Sequence, residues 1–180
     1  PPAEISNGNS VLSFTPGNLR SLDWTARPAC EVSPGAVEID VRAAGLNFRD
    51  VMFSMGLLPS EALENGFAGA TLGMEAAGEI VRVGADVADL KPGDRVFCFA
   101  PQCFADRVIA EAYAVVPIPA EMDFAGAASI VTVFFTAWYA LKELARVEPG
   151  ERVLIHGAAG GVGLAAIQIA RHLGVEIYAT

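Results

Sequence analysis

His156-Gly157-Ala158-Ala159-Gly160-Gly161-Val162-Gly163 is the stretch that decides the fold. Ahead of it, Arg152 to His156 read as a strand entered through the turn Glu148-Pro149-Gly150-Glu151. Behind it, Leu164 to Leu173 place apolar residues at helical spacing, and Gly174 stands where a helix C-terminus favours a left-handed residue. Val175 to Tyr178 start another strand. Strand, glycine-rich turn, helix and strand form one βαβ unit. Ala158-x-Gly160-x-x-Gly163 within it has the spacing of a dinucleotide fingerprint, with alanine in the first slot. At Gly160 the backbone can approach a pyrophosphate with no side chain in the way, and at Gly163 the helix can pack closely on the strand. The helix N-terminus offers free N–H groups and partial positive charge. Ala158, Ala159, Gly160, Gly161, Val162 and Gly163 are therefore the candidate cofactor-binding residues. The alternative is a structural glycine turn without a ligand. NAD binders carry an acid about twenty positions beyond the fingerprint. Counting from Gly160 reaches Thr180, and no acid stands at that strand tip, which tilts the preference toward NADP and adds Thr180 to the cofactor-binding candidates.

Outward from the motif, the first two-thirds of the chain read as short strands with Gly/Pro punctuation. Val37, Ile39, Val41 and Ala43 alternate with Glu38, Asp40 and Arg42, the period of a half-buried strand, after the turn Ser33-Pro34-Gly35. Glu79 to Val83, Arg95 to Phe99, Arg107 to Ile109 and Ala114 to Ile118 are further strands, and together they suggest a small barrel or sandwich. The pattern changes near Ala120, where Asp123 is placed to cap one helix running from Phe124 to about Leu144. A parallel pair of strands cannot bury both faces. With Pro1-Pro2-Ala3-Glu4 and no Met at the start, a piece of a longer chain is expected.

Of the 180 residues, 53% are hydrophobic and 18% charged, with a net charge of −9, so the chain is expected to fold around a packed core. The acidic balance argues against nucleic acid or an anionic membrane as main partner. The uncharged run from Phe124 to Leu141 reads as a buried helix rather than a membrane span. Cys30, Cys98 and Cys103 have no disulfide-framework spacing, which suits a reducing, cytoplasmic setting.

Ala43-Ala44-Gly45-Leu46-Asn47-Phe48-Arg49-Asp50-Val51, Leu72-Gly73-Met74-Glu75-Ala76-Ala77-Gly78-Glu79, Thr136-Ala137-Trp138-Tyr139-Ala140-Leu141 and the Val153 to Gly163 stretch occur in one order and spacing. On these motifs the chain resembles the N-terminal part of the medium-chain dehydrogenase/reductases. Within them it is similar to the enoyl reductase domains of type I polyketide synthases and related multidomain fatty acid synthases. The resemblance implies an α/β fold overall. A GroES-like β-barrel-type substrate domain (1–120) would be followed by a linking helix and the first βαβ unit of a truncated Rossmann domain (121–180). It also implies NADPH as cofactor and an enoyl thioester on a phosphopantetheine carrier protein as substrate, with other synthase domains as partners.

By the same resemblance, Asn47 lies beside nicotinamide and substrate, and Thr136 contacts the cofactor. On the residues alone, Asn47 also suits a turn after Gly45, and Thr136 a hydroxyl bonded to its own helix. Arg49 and Asp50 read as an ion pair holding the Asn47 loop, and Glu75 as ordering the interior. The zinc-ligand positions of the alcohol dehydrogenase branch correspond to Asn47, Met74 and Thr132, none of them a good zinc ligand, so no metal is expected. Many relatives carry a tyrosine where Leu58 precedes Pro59, and leucine donates no proton. The family's other proton-donor candidates lie beyond Thr180. A free-standing zinc-independent quinone or enone reductase, and a non-catalytic degenerate reductase domain, are the alternatives.

Overall fold

A computed structural model describes residues 9–180. The chain divides into two compact units, Pro1–Ser129 and Ile130–Thr180. The first unit opens with a hairpin of β1 (Ser10–Thr15) and β2 (Asn18–Ala26). It continues through β3 (Ala36–Ala44), the short helices α1 (Phe48–Ser54) and α2 (Ser60–Glu64), and β4 (Glu75–Val83). The strands β5 (Arg95–Phe99), β6 (Arg107–Glu111) and β7 (Val115–Pro117) and the helix α3 (Phe124–Ala128) complete it. Five strands pair in the order β6-β3-β4-β5-β7, all antiparallel. Register shifts between Glu38 and Ile39 and between Val41 and Ala43 bend β3 against β4, and such bulges increase local twist and curl a sheet. The curled sheet closes on Val37, Ile39, Ile80, Val96, Cys98, Cys103 and Val108.

The alternation read in β3 puts Val37 and Ile39 into that core, as the period of two requires. The opposite face is less open than a half-buried strand implies. Glu38 is only 6% exposed, because Arg82 Nε donates to its Oε2 at 2.6 Å. Asp40 meets Arg107 Nε at 3.0 Å and Arg42 at 3.0 Å. Cross-strand ion pairs thus roof the polar side of the sheet.

The helix expected from Phe124 to about Leu144 is not continuous. Asp123 does cap its start, accepting the Gly126 N–H at 2.7 Å. Ala127 and Ala128 then pack on Ala77 and Ile118, which holds α3 on the sheet of the first unit. The Ser129 hydroxyl donates to the Gly126 carbonyl at 2.9 Å, competing with the helical ladder where a β-branched run begins. The helix restarts as α4 (Val131–Trp138) and widens to a π-helical turn over Tyr139–Leu144. Because α3 goes with the strands before it, the units divide between Ser129 and Ile130 rather than at 120/121. No helix among the described residues is long and apolar enough to cross a membrane.

The second unit contains α4, β8 (Arg152–Ile155), α5 (Gly161–His172) and β9 (Glu176–Ala179). β8 and β9 pair in parallel, Arg152 opposite Glu176 and Ile155 opposite Ala179. The small residues Ala137, Ala165, Ala166 and Ala170 share a core with Ile155, Ile169 and Val175, so α4 and α5 pack through short side chains. Helix α5 begins inside the glycine motif, ahead of the start at Leu164 expected from the sequence. Arg171 and His172 fall in its last turn, where cations complement the helix dipole.

Cys98 and Cys103 are both buried. A hydrogen bond with Cys98, and then burial, push the Cys103 thiol far above its ordinary range, and its Sγ donates to the Ala100 carbonyl at 3.1 Å. A thiolate is needed for reaction. In the folded protein a thiol-specific disulfide reagent should therefore label the partly exposed Cys30 first, Cys98 and Cys103 reacting only after denaturant is added. A Cβ on Gly78 would lie 2.0 Å from the Asp40 carbonyl oxygen on the paired strand. Gly78→Ala should lower stability by about 1–3 kcal/mol, read from the midpoint of urea unfolding.

Candidate active site

In the first unit the candidate residues gather where β3 leaves the sheet and β4 enters it. Asn47 precedes α1 in extended conformation, and its backbone N–H donates to Asp50 Oδ2 at 2.9 Å. That is the reciprocal half of a capping box, at the spacing Asn47-Phe48-Arg49-Asp50. The other oxygen of Asp50 accepts the Gly73 N–H at 2.9 Å. Asp50 is 2% exposed, so these donors satisfy a carboxylate removed from water. Gly73 has φ +79°, and a Cβ there would lie 2.7 Å from the Phe104 nitrogen, so only glycine brings this N–H up to Asp50.

The Asn47 side chain turns to β4. Its Nδ2 donates to Glu75 Oε1 at 2.8 Å, and Glu75 is 2% exposed. Gly45 makes room for this pair: a Cβ on it would lie 2.5 Å from Glu75 Oε1 and 2.5 Å from the Ala128 carbonyl oxygen.

The Arg49–Asp50 ion pair expected from the sequence is present but long, at 3.9 Å. Arg49 is held instead by carbonyls, donating to Thr71 O at 2.9 Å and to Gly69 O, with its guanidinium over the Phe53 ring at 5.5 Å. What sequence reasoning missed is that Asp50 is spent on backbone N–H groups. The capping-box spacing was the available signal. Nothing local pointed to Gly73 or Glu75 as partners. Met74 is half-buried between them, and Leu58 is half-buried ahead of Pro59. Leu46, Phe48 and Met55 stand exposed around Asn47.

The second unit carries the glycine loop. Gly157 turns the chain at φ +64°, its carbonyl accepts the Gly160 N–H at 3.0 Å, and Gly160 caps α5 in extended conformation. Gly163 is the tight point, since a Cβ there would lie 2.4 Å from Gly157 O and 2.6 Å from Ala158 Cα. Ala158 is buried in the core of this unit, whereas Ala159, Gly160, Gly161 and Val162 are exposed. No acid stands in the first turn of α5, so its N-terminal partial charge is not neutralised locally. Thr180 lies beside the loop. Its carbonyl accepts the Ala158 N–H at 3.0 Å, and its hydroxyl is 2.9 Å from His156 Nδ1. Thr136 is exposed on α4 in this same unit, and Val133 of α4 would meet a Cβ on Gly161 at 3.5 Å.

Residues 33–142 match the model of the alcohol dehydrogenase GroES-like domain. The chain belongs to that family. Its curled strand unit is thus a GroES-like domain of the medium-chain dehydrogenase/reductase type. The chain is 46% identical over 173 residues to the pikromycin polyketide synthase component PikAII of Streptomyces venezuelae, an alignment covering 92% of this chain and 4% of that protein. Among solved structures it is similar to the CurK enoyl reductase, with a TM-score of 0.89 and 39% identity over 96% of this chain and 54% of that one. A mycobacterial protein complexed with NADPH gives a TM-score of 0.77 and 31% identity over 95% of this chain and 52% of that one. The GroES-like chain therefore spans about half the length of these solved structures and a small part of the synthase.

Asp50→Ala should strand the half-buried Asn47 and buried Gly73 N–H groups and cost about 2–5 kcal/mol, measured by urea unfolding. Gly163→Ala should force the start of α5 off the Gly157 carbonyl and weaken nucleotide binding at least about tenfold, measured by fluorescence titration.

Proposed function

We propose that the protein is an NADPH-dependent enoyl reductase acting on an α,β-unsaturated acyl thioester held by a carrier protein within a polyketide synthase. The observation that carries this reading is the exposed glycine loop at the N-terminus of α5, in a chain whose relatives include polyketide synthases and solved enoyl reductases. The loop fits a dinucleotide. Where α5 begins it offers backbone N–H groups that have no partner inside the helix, no acid in the first turn, and no side chain at Gly160 or Gly161. The N–H groups of Gly161, Val162 and Gly163 would hold the pyrophosphate, with Ala158 and Ala159 shaping the turn. Thr136 would give a hydroxyl to the cofactor. Thr180, at the end of β9, leaves the ribose position without a carboxylate, which favours a 2′-phosphate over a free hydroxyl.

NADPH, when bound, supplies the hydride that adds to the β-carbon. The π electrons of the double bond move toward the thioester carbonyl, an enolate forms, and the α-carbon then takes a proton. Charge develops on oxygen, so the protein's task is to present hydrogen-bond donors and orient the reactants. Asn47 fits that task, because one Nδ2 hydrogen is given to Glu75 and the other remains. Leu58 cannot supply the proton. No step here calls for a metal, and Asn47, Met74 and Thr132 are poor zinc ligands.

The full-length protein should bind NADPH more tightly than NADH in a fluorescence titration and oxidise NADPH when given a crotonyl-type pantetheine thioester. Asn47→Ala should lower kcat/KM about 10- to 100-fold while NADPH affinity holds. A folded protein that binds neither nucleotide would overturn the reading in favour of a non-catalytic domain.

A further inference from the structure

We propose that Glu75 is a positioning residue that sets which way the Asn47 amide faces. The inference rests on the reading of Asn47 as an active-site residue. Glu75 lies on the first position of β4, 2% exposed, and its Oε1 accepts the Asn47 Nδ2 hydrogen at 2.8 Å. At this contact the Glu75 oxygen is the acceptor, which leaves the amide the donor's part. The amide turns its nitrogen toward Glu75, and the reverse orientation would set its Oδ1 against that accepting oxygen in a part-buried site, at the cost of an unmade hydrogen bond. With the nitrogen so anchored, the second Nδ2 hydrogen and the Oδ1 carbonyl are assigned to fixed directions. Without the anchor, the amide's two orientations are of similar shape and exchange donor for acceptor at the reacting atoms.

Three further features hold the anchor in place. Gly45 leaves a slot that only a residue without Cβ can leave, since its Cβ would lie 2.5 Å from Glu75 Oε1 and 2.6 Å from Glu75 Cγ. The Gly45 N–H donates to the Glu75 backbone carbonyl at 3.1 Å, so the chain on both sides of the slot is tied. Asp50 independently fixes the Asn47 backbone through the 2.9 Å bond to its N–H. Backbone and side chain of Asn47 are thus held by different carboxylates.

The test is a double-mutant cycle in the full-length protein with NADPH and crotonyl-pantetheine. Glu75→Met removes the acceptor at similar volume, and Glu75→Gln keeps the shape but restores the choice of amide orientation. Glu75→Met should lower kcat about tenfold and Glu75→Gln about threefold, with KM and NADPH affinity changing less than about twofold. In an Asn47→Ala background the same Glu75 changes should cost much less kcat than they do in the wild type, because the route through the amide is gone. Equal losses in both backgrounds, or wild-type kcat in both Glu75 variants, would overturn the proposal while leaving Asn47 in the active site. Unaltered kcat in Asn47→Ala alone would instead remove the active-site reading itself, and this inference with it. Should Glu75→Met fail to fold, Glu75→Gln completes the cycle.

Discussion

A carboxylate taken out of water must be given donors, and the first unit is arranged around that requirement at Asp50. Its two oxygens accept the N–H groups of Asn47 and Gly73, one at the start of α1 and one just before β4. The connection between β3 and β4 is thereby pinned at its two ends by one side chain. Arg49, the charge next in sequence, is committed to the carbonyls of Gly69 and Thr71 in the same connection. Charged groups of opposite sign here solvate backbone of opposite polarity more than they solvate each other. The result is a loop whose Asn47 is tied through its backbone to Asp50 and through its amide to Glu75.

The second unit solves a different problem with glycine. A phosphate can be held by backbone N–H groups only if the helix that offers them starts close to the end of the preceding strand. Gly163 permits that closeness, with the Gly157 carbonyl standing where its Cβ would be. Gly157, at positive φ, makes the turn that brings the carbonyl there. On an acidic chain, this backbone arrangement leaves the N–H groups at the start of α5 without an acid in the first turn.

Much of this was legible in the chain itself. The βαβ unit was readable because its signals are local: an apolar strand, glycines at fixed spacing, helical periodicity and a terminating Gly174. The strands β3, β5 and β8 were readable for the same reason. The hairpin of β1 and β2 was not, since β2 is exposed along nearly its whole length and carries no clear alternation. Helix α1 was not either, being short and carrying Phe48 and Val51 on the outside. The long helix expected from Phe124 onward was divided by packing, because Ala127 and Ala128 found partners on the strand sheet and the residues after Ser129 found theirs in the second unit.

Sequence alone determined what depends on neighbours along the chain: the glycine loop and the helix behind it. Tertiary structure decided what depends on residues far apart. The partner of the Asn47 amide stands 28 positions away, and the partner of Asp50 at Gly73 is 23 positions away. The slot at Gly45 exists only because Glu75 and the Ala128 carbonyl converge on it. Periodicity and turn chemistry act over a few residues. The Asn47 amide meets an acceptor that only the fold brings against it.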